Sequence, residues 1–131
     1  WIASLAAKPE GLVYTIHREQ LIGVVSLEGG GPQPRLGYWL AEPWHGHGYM
    51  TEAAGALLAH AFDTLPIWGV VSSVFTDNPA SRRVQEKLGF SVSGLTDTYS
   101  RPRGTAVQAL TTRLSAASWR ARHGLVELTA A

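Results

Sequence analysis

The stretch Trp44-His45-Gly46-His47-Gly48-Tyr49-Met50-Thr51-Glu52-Ala53 concentrates the chain's chemistry. Its glycines punctuate a turn between a strand-like segment and a helix start. Such a turn exposes backbone N–H groups beside the positive end of a helix dipole, a setting that suits a phosphate or pyrophosphate. Gly46 and Gly48 let the backbone come close to a ligand, and His45 and His47 can add to phosphate binding. The same residues also make a plain tight turn, because a G-x-G alone specifies little. Downstream, Asn78-Pro79-Ala80-Ser81-Arg82-Arg83 opens a second helix. There Asn78 can cap, Pro79 fits the first helical position, and Ser81 adds a hydroxyl to the first turn. Trp39 and Trp44 either pack against the sheet or line a pocket for a second reactant.

These residues need elements to hold them. Leu12 to His17 and Gln20 to Leu27 are strand-like, and Gly29 to Pro34 is a loop by its glycines and prolines. Leu36, Tyr38 and Leu40 alternate with Gly37 and Trp39, the period of a strand. Thr51 to Leu65 carries apolar residues at steps of four, which predicts a helix, and Ile67 to Thr76 reads as a buried strand. Pro79 to Leu88 is a short helix with Ala80, Val84 and Leu88 along one face and Gly89 as its left-handed end. Phe90 to Leu95 and Val107 to Arg113 read as strands around a polar Tyr99 to Thr105 turn, and Ser115 to His123 as a last helix. The order predicts an α/β or α+β sheet with helices on its faces.

The 131 residues fit a single domain, residues 1–131, and 45% hydrophobic against 16% charged residues supplies a core. A formal net charge of +1 argues against a nucleic-acid partner. The absence of cysteine excludes disulfides, thiolate nucleophiles and cysteine-ligated zinc within the chain, and agrees with a reducing cytoplasm as its location. The histidines lack paired ligand spacing, so no metal is expected. No apolar run approaches a membrane span and no signal pattern is visible.

Gly37-Tyr38-Trp39-Leu40, then Gly46-His47-Gly48-Tyr49-Met50-Thr51-Glu52-Ala53, then Asn78 through Ser81, Val84, Glu86-Lys87 to Gly89-Phe90, resembles in order and spacing the GNAT acetyltransferase superfamily. Within it the chain is similar to the ribosomal-protein alanine acetyltransferase branch, over roughly Leu21 to Trp119. The resemblance implies a mixed, mostly antiparallel sheet whose central parallel strands, Leu36 to Leu40 and Ile67 to Thr76, splay apart around the pantetheine arm of acetyl-coenzyme A. It implies that backbone groups near Trp39 and Leu40 pair with the pantetheine amides. The N–H groups of His45, Gly46, His47, Gly48, Tyr49 and Met50 would hold the pyrophosphate, and Thr51 would begin the helix. Asn78 would contact the cofactor arm and Ser81 the departing sulfur. Arg82 and Arg83, like Glu86 and Lys87, read first as a solvated helix face, with contact between Arg83 or Arg82 and the 3′-phosphate as the alternative.

The activity so implied is direct transfer of an acetyl group to a primary amine, of a protein amino terminus or of a small molecule. Transfer needs a free amine, donors for the developing oxyanion and only weak help for a leaving thiol whose pKa lies near ~8.5. Two departures from the family pattern bear on it. Gln85 stands where many members carry a tyrosine acid, which leaves Ser81 or Tyr99 for that role. Arg35 stands where the branch often has Glu, which leaves Glu28, Glu42, His17, His45 or His47 as base. The same departures fit a non-catalytic acyl-coenzyme A-binding or sensing domain. The chain starts at Trp1 without the strand and helices that open most family members, so a partner chain or homodimer would be expected to cover an exposed sheet edge if they are absent.

Overall fold

The computed structural model describes residues 2–8 and 11–124 and joins seven strands into one sheet. Strands β1 (Ile2–Lys8), β2 (Gly11–Arg18), β3 (Gln20–Glu28) and β4 (Arg35–Leu40) form an antiparallel meander. After helix α1 (Tyr49–Thr64), β5 (Gly69–Phe75) lies parallel to β4. After α2 (Pro79–Leu88), the hairpin of β6 (Ser91–Ser100) and β7 (Thr105–Ser115) completes the order β1-β2-β3-β4-β5-β7-β6. This is the mixed, mostly antiparallel sheet with one central parallel pair that the motifs imply.

Several boundaries differ from the sequence reading, each for a physical reason. Residues 2–8 give no strand signal because Ala3, Ala6 and Ala7 dilute any alternation, yet they pair with β2, Ala7 opposite Leu12. β6 runs past Leu95 through Tyr99 to Ser100, and the turn is confined to residues 101–104. As an edge strand holding Thr96, Asp97 and Thr98, β6 is exposed over most of its length and shows no apolar period. The last helix is one turn, α3 (Ala116–Trp119), followed by a π-helical turn at Arg120–Gly124. Helix α1 starts at Tyr49, not Thr51, because Gly48 takes the N-cap position.

Alternation sorts the sheet's side chains into a packed and a solvated face. Leu12, Ile16, Val25, Leu27 and Leu36 are buried in the core with Ala53, Ala54, Leu57, Leu58 and Ala61 of α1. Full burial of residues such as Leu57 and Leu58 stabilises by roughly 1.5–3 kcal/mol each. Leu88 of α2 joins the same core, and Phe62 stacks on Trp119 at 5.6 Å. Glu28, Arg35, Gly37 and Trp39, which alternate to the other side, are exposed.

The feature that creates a site is where β4 and β5 part. Their ladder holds one pair, Arg35 opposite Val71, reinforced by the Val71 N–H donating to Pro34 at 3.0 Å. Beyond it side chains replace the backbone ladder. Arg35 donates to the Ser73 hydroxyl at 2.6 Å, and the Ser72 hydroxyl donates to the Leu36 carbonyl at 2.8 Å. On its other edge β4 is held tightly against β3. A Cβ at Gly23 would lie 2.6 Å from the Trp39 carbonyl oxygen, a backbone atom that cannot yield without moving the end of β4. Gly23→Ala is therefore expected to destabilise the fold by about 1–3 kcal/mol, the usual range for overpacking. A thermal melt read by circular dichroism checks this, and an unshifted midpoint would show that the strand end is free to move.

Candidate active site

Where the strands diverge, β4, the glycine turn, the start of α1 and one side of α2 enclose a cleft of about 870 Å³. β4 contributes Tyr38, Trp39 and Leu40, and the α1 end contributes Gly46, Gly48, Tyr49, Met50 and Thr51. Gly46 (φ 81°) and Gly48 (φ 77°) are both left-handed, a conformation that glycine adopts without penalty. A Cβ at either would meet nothing within 4 Å, so the turn presents bare backbone. Gly48 brings no side-chain acceptor to the leading N–H groups of α1. A 16-residue helix thus directs its positive end at the cleft, an arrangement suited to an anion.

Across from the turn, α2 presents Arg83 and Lys87 one helical turn apart. Arg82 is not among the lining residues; its Nε lies 3.5 Å from Glu86. The geometry separates the two arginines and adds Lys87, which reads in the sequence as a solvated helix residue. Ala80 and Val84 also line the cleft, while the buried side of α2 carries Gln85 and Leu88. Of the apolar stripe expected from Ala80, Val84 and Leu88, Leu88 lies in the core, Val84 packs half-buried against it while also lining the cleft, and Ala80 is exposed on the cleft.

Asn78 caps α2 by accepting the Ser81 N–H through Oδ1 at 3.1 Å. That leaves its side-chain amide hydrogens for a ligand, so capping and cofactor contact are compatible. The Ser81 hydroxyl lies 2.6 Å from the Tyr38 hydroxyl, which also donates to the Ser81 carbonyl at 3.1 Å. Burial pushes the Tyr38 phenol above its ordinary pKa, while hydrogen bonding with Ser81 and Gln85 opposes that rise. It stays protonated around neutral pH. Sequence reasoning places Tyr38 within a motif but gives its hydroxyl no role.

The histidines divide. His45 lines the cleft and its Nε2 is 2.7 Å from the Leu40 carbonyl. A carbonyl only accepts, so Nε2 carries the proton. His47 is not among the lining residues, and its ring lies 5.5 Å from that of Tyr49. His17 pairs with the Thr15 hydroxyl at 3.2 Å, away from the cleft lining. Of the carboxylates considered as base, Glu42 lines the cleft, whereas Glu28 does not and accepts from Ser26 at 3.2 Å. Beside the cleft Arg103 grips Asp77 with two bonds of 2.6 and 2.9 Å and lies over the Phe75 ring. The Arg103 hydrogen bond holds the Asp77 carboxyl below its ordinary pKa.

The profile of the acetyltransferase (GNAT) domain matches residues 1–91, which include β4, the glycine turn, α1 and all of α2. The chain belongs to the GNAT acetyltransferases. YjcK of Bacillus subtilis, named as an N-acetyltransferase, is 34% identical over 87 residues, 63% of this chain and 48% of that protein. The ribosomal-protein-serine acetyltransferase of Escherichia coli is 33% identical over 79 residues, 58% of this chain and 44% of that protein. The chain thus spans about half the length of these relatives. The solved structure of a ribosomal-protein-S5-alanine acetyltransferase from Vibrio fischeri matches with a TM-score of 0.77 at 20% identity, covering 83% of this chain and 63% of that one. At that identity the match speaks for the fold.

GNAT membership sharpens the meaning of Gln85 and Tyr99. Gln85 is fully buried, donates to Ser72 at 2.9 Å and accepts from Thr112 at 2.6 Å. It braces α2, β5 and β7 and has no exposed surface with which to meet a substrate. Tyr99 lies on the edge strand, 64% exposed, opposite Ala106 and absent from the cleft lining. Among the two hydroxyls considered for the leaving group, the structure brings Ser81 into the GNAT cleft and leaves Tyr99 outside it.

Proposed function

We propose that this GNAT chain transfers the acetyl group of acetyl-coenzyme A directly to a primary amine, acting in the cytoplasm without a metal. The observation that carries this reading is the composition of one cleft. It combines a helix amino terminus with no side-chain cap behind two left-handed glycines, the cations Arg83 and Lys87, and the hydroxyl of Ser81.

The turn from His45 to Met50 would receive the pyrophosphate, Arg83 and Lys87 the 3′-phosphate, and Trp39 and Leu40 the pantetheine amides. Asn78 would donate its amide hydrogens to the same arm. Ser81 would donate a hydrogen bond to the departing sulfur. An alcohol is far too weak an acid to surrender its proton to a thiolate whose conjugate acid has a pKa near ~8.5, so Ser81 stabilises charge without transferring a proton. Glu42 is the carboxylate on the cleft that would draw the proton from the attacking amine, through water. Similarity to the ribosomal-protein-serine acetyltransferase favours a protein α-amine as acceptor.

Calorimetric titration with acetyl-coenzyme A, followed by thiol release with peptides bearing free or blocked amino termini and with polyamines, tests the reading. Binding with release that depends on a free amine is expected. Binding without release to any amine would favour an acyl-coenzyme A sensor, and no binding by folded protein would remove the proposal.

A further inference from the structure

We infer that Tyr38 is a positioning residue for the transfer step, its hydroxyl fixing the Ser81 hydroxyl and setting the direction in which Ser81 points its proton. This rests on the acetyl-transfer reading, because it assigns Ser81 the departing sulfur.

Tyr38 lies on β4 beyond the last ladder pair with β5, on the strand face that packs against the core. Its ring is half-buried and its hydroxyl crosses the gap to the first turn of α2. There it meets two atoms of one residue, the Ser81 carbonyl at 3.1 Å and Oγ at 2.6 Å. A phenol has a single proton, so the pair has two arrangements. In one, Tyr38 donates to the Ser81 carbonyl and receives the Ser81 hydroxyl proton, which turns the Ser81 lone pairs outward. In the other, Tyr38 donates to Oγ and the Ser81 proton is released toward the cleft.

The second arrangement is the one a thiolate selects, since an anion in the cleft accepts and cannot donate. Tyr38 serves in both only while it is protonated, and its burial favours that form. Without the phenol the Ser81 hydroxyl would fall back on the backbone of its own helix, the usual partner of a helical serine. Its donor would then be lost to the cleft. The 2.6 Å contact spans 43 residues of sequence and two elements that share no backbone bond at that level, so a tether is the simplest alternative role.

Tyr38→Phe separates positioning from tethering. Positioning predicts a kcat about tenfold lower, with the KM and calorimetric Kd for acetyl-coenzyme A within about twofold of wild type, and no further loss when Tyr38→Phe is added to Ser81→Ala, the non-additivity expected of groups acting as a unit. A second readout needs no turnover. A hydrogen bond to a thiolate lowers its pKa, so the ultraviolet titration of bound coenzyme A should shift upward by about one unit in both Tyr38→Phe and Ser81→Ala. Weakened binding or a lowered melting midpoint with kcat and thiolate titration unchanged would overturn the inference in favour of a tether. Additive losses would do the same and leave the transferase reading standing. Wild-type protein that binds acetyl-coenzyme A and releases no thiol to any amine would remove the transfer reading itself, and the inference with it.

Discussion

Gly48→Val is expected to weaken acetyl-coenzyme A binding by more than tenfold while the far-ultraviolet spectrum of the protein stays close to wild type. Gly48 sits at φ 77° as the N-cap of α1. A left-handed conformation costs an ordinary L-residue roughly 1–2 kcal/mol, and a β-branched residue is the worst case. The free protein has room for the new side chain, since nothing lies within 4 Å of a Cβ there. The harm comes from two other sources. The backbone relaxes away from the left-handed region and turns the leading N–H groups of α1, and the isopropyl group occupies the space a phosphate would enter. Gly48→Asn distinguishes these, because asparagine tolerates the left-handed region. Binding restored in the Asn variant identifies strain as the cause, and binding lost in both identifies occlusion. Wild-type affinity in the Val variant would place the phosphates elsewhere in the cleft.

The parts of this site that could be read from the sequence are those specified by neighbours along the chain. Asn78, Pro79 and Gly89 bracket α2 with local signals, and the helix runs Pro79–Leu88 as they predict. The glycine turn announces itself by composition, though its left-handed N-cap moves the start of α1 back to Tyr49. What escapes is specified by residues far apart. Nothing local in Ile2–Lys8 marks a strand; its pairing with β2 decides it. Tyr38 and Ser81 meet only because β4 and β5 diverge and α2 crosses the gap. Lys87 could have been found: it follows Arg83 by four residues, so any helix that points Arg83 at the cleft points Lys87 there too. The solvated-face reading of charged helix residues hid it.

Gln85 shows the same contrast between local pattern and distant partner, and it carries the largest expected effect on stability. By family resemblance its position suggests a lost tyrosine acid, yet the structure gives it a different occupation. Its amide donates to Ser72, whose own hydroxyl donates to the Leu36 carbonyl, and it accepts from Thr112, so one buried relay joins β4, β5, α2 and β7 across the splay. In the proposed mechanism the donor role falls instead to Ser81, four residues toward the helix start and on the cleft lining. Gln85→Leu keeps the approximate volume but strands the buried Thr112 hydroxyl and removes the donor to Ser72, each unsatisfied group costing about 1–3 kcal/mol. A loss of about 3 kcal/mol, or roughly 10 °C in melting midpoint for a domain of this size, is expected. Gln85→Glu tests whether hydrogen bonding is the cause. A neutral Glu can donate to Ser72 and accept from Thr112, while burial raises its folded pKa above the unfolded value. The folded state then binds more protons, so the Glu variant should be most stable at low pH and lose stability as pH rises through that raised pKa. A Leu variant that melts with wild type would show that the splay holds without the relay, and would return Gln85 to the status of a lost catalytic position.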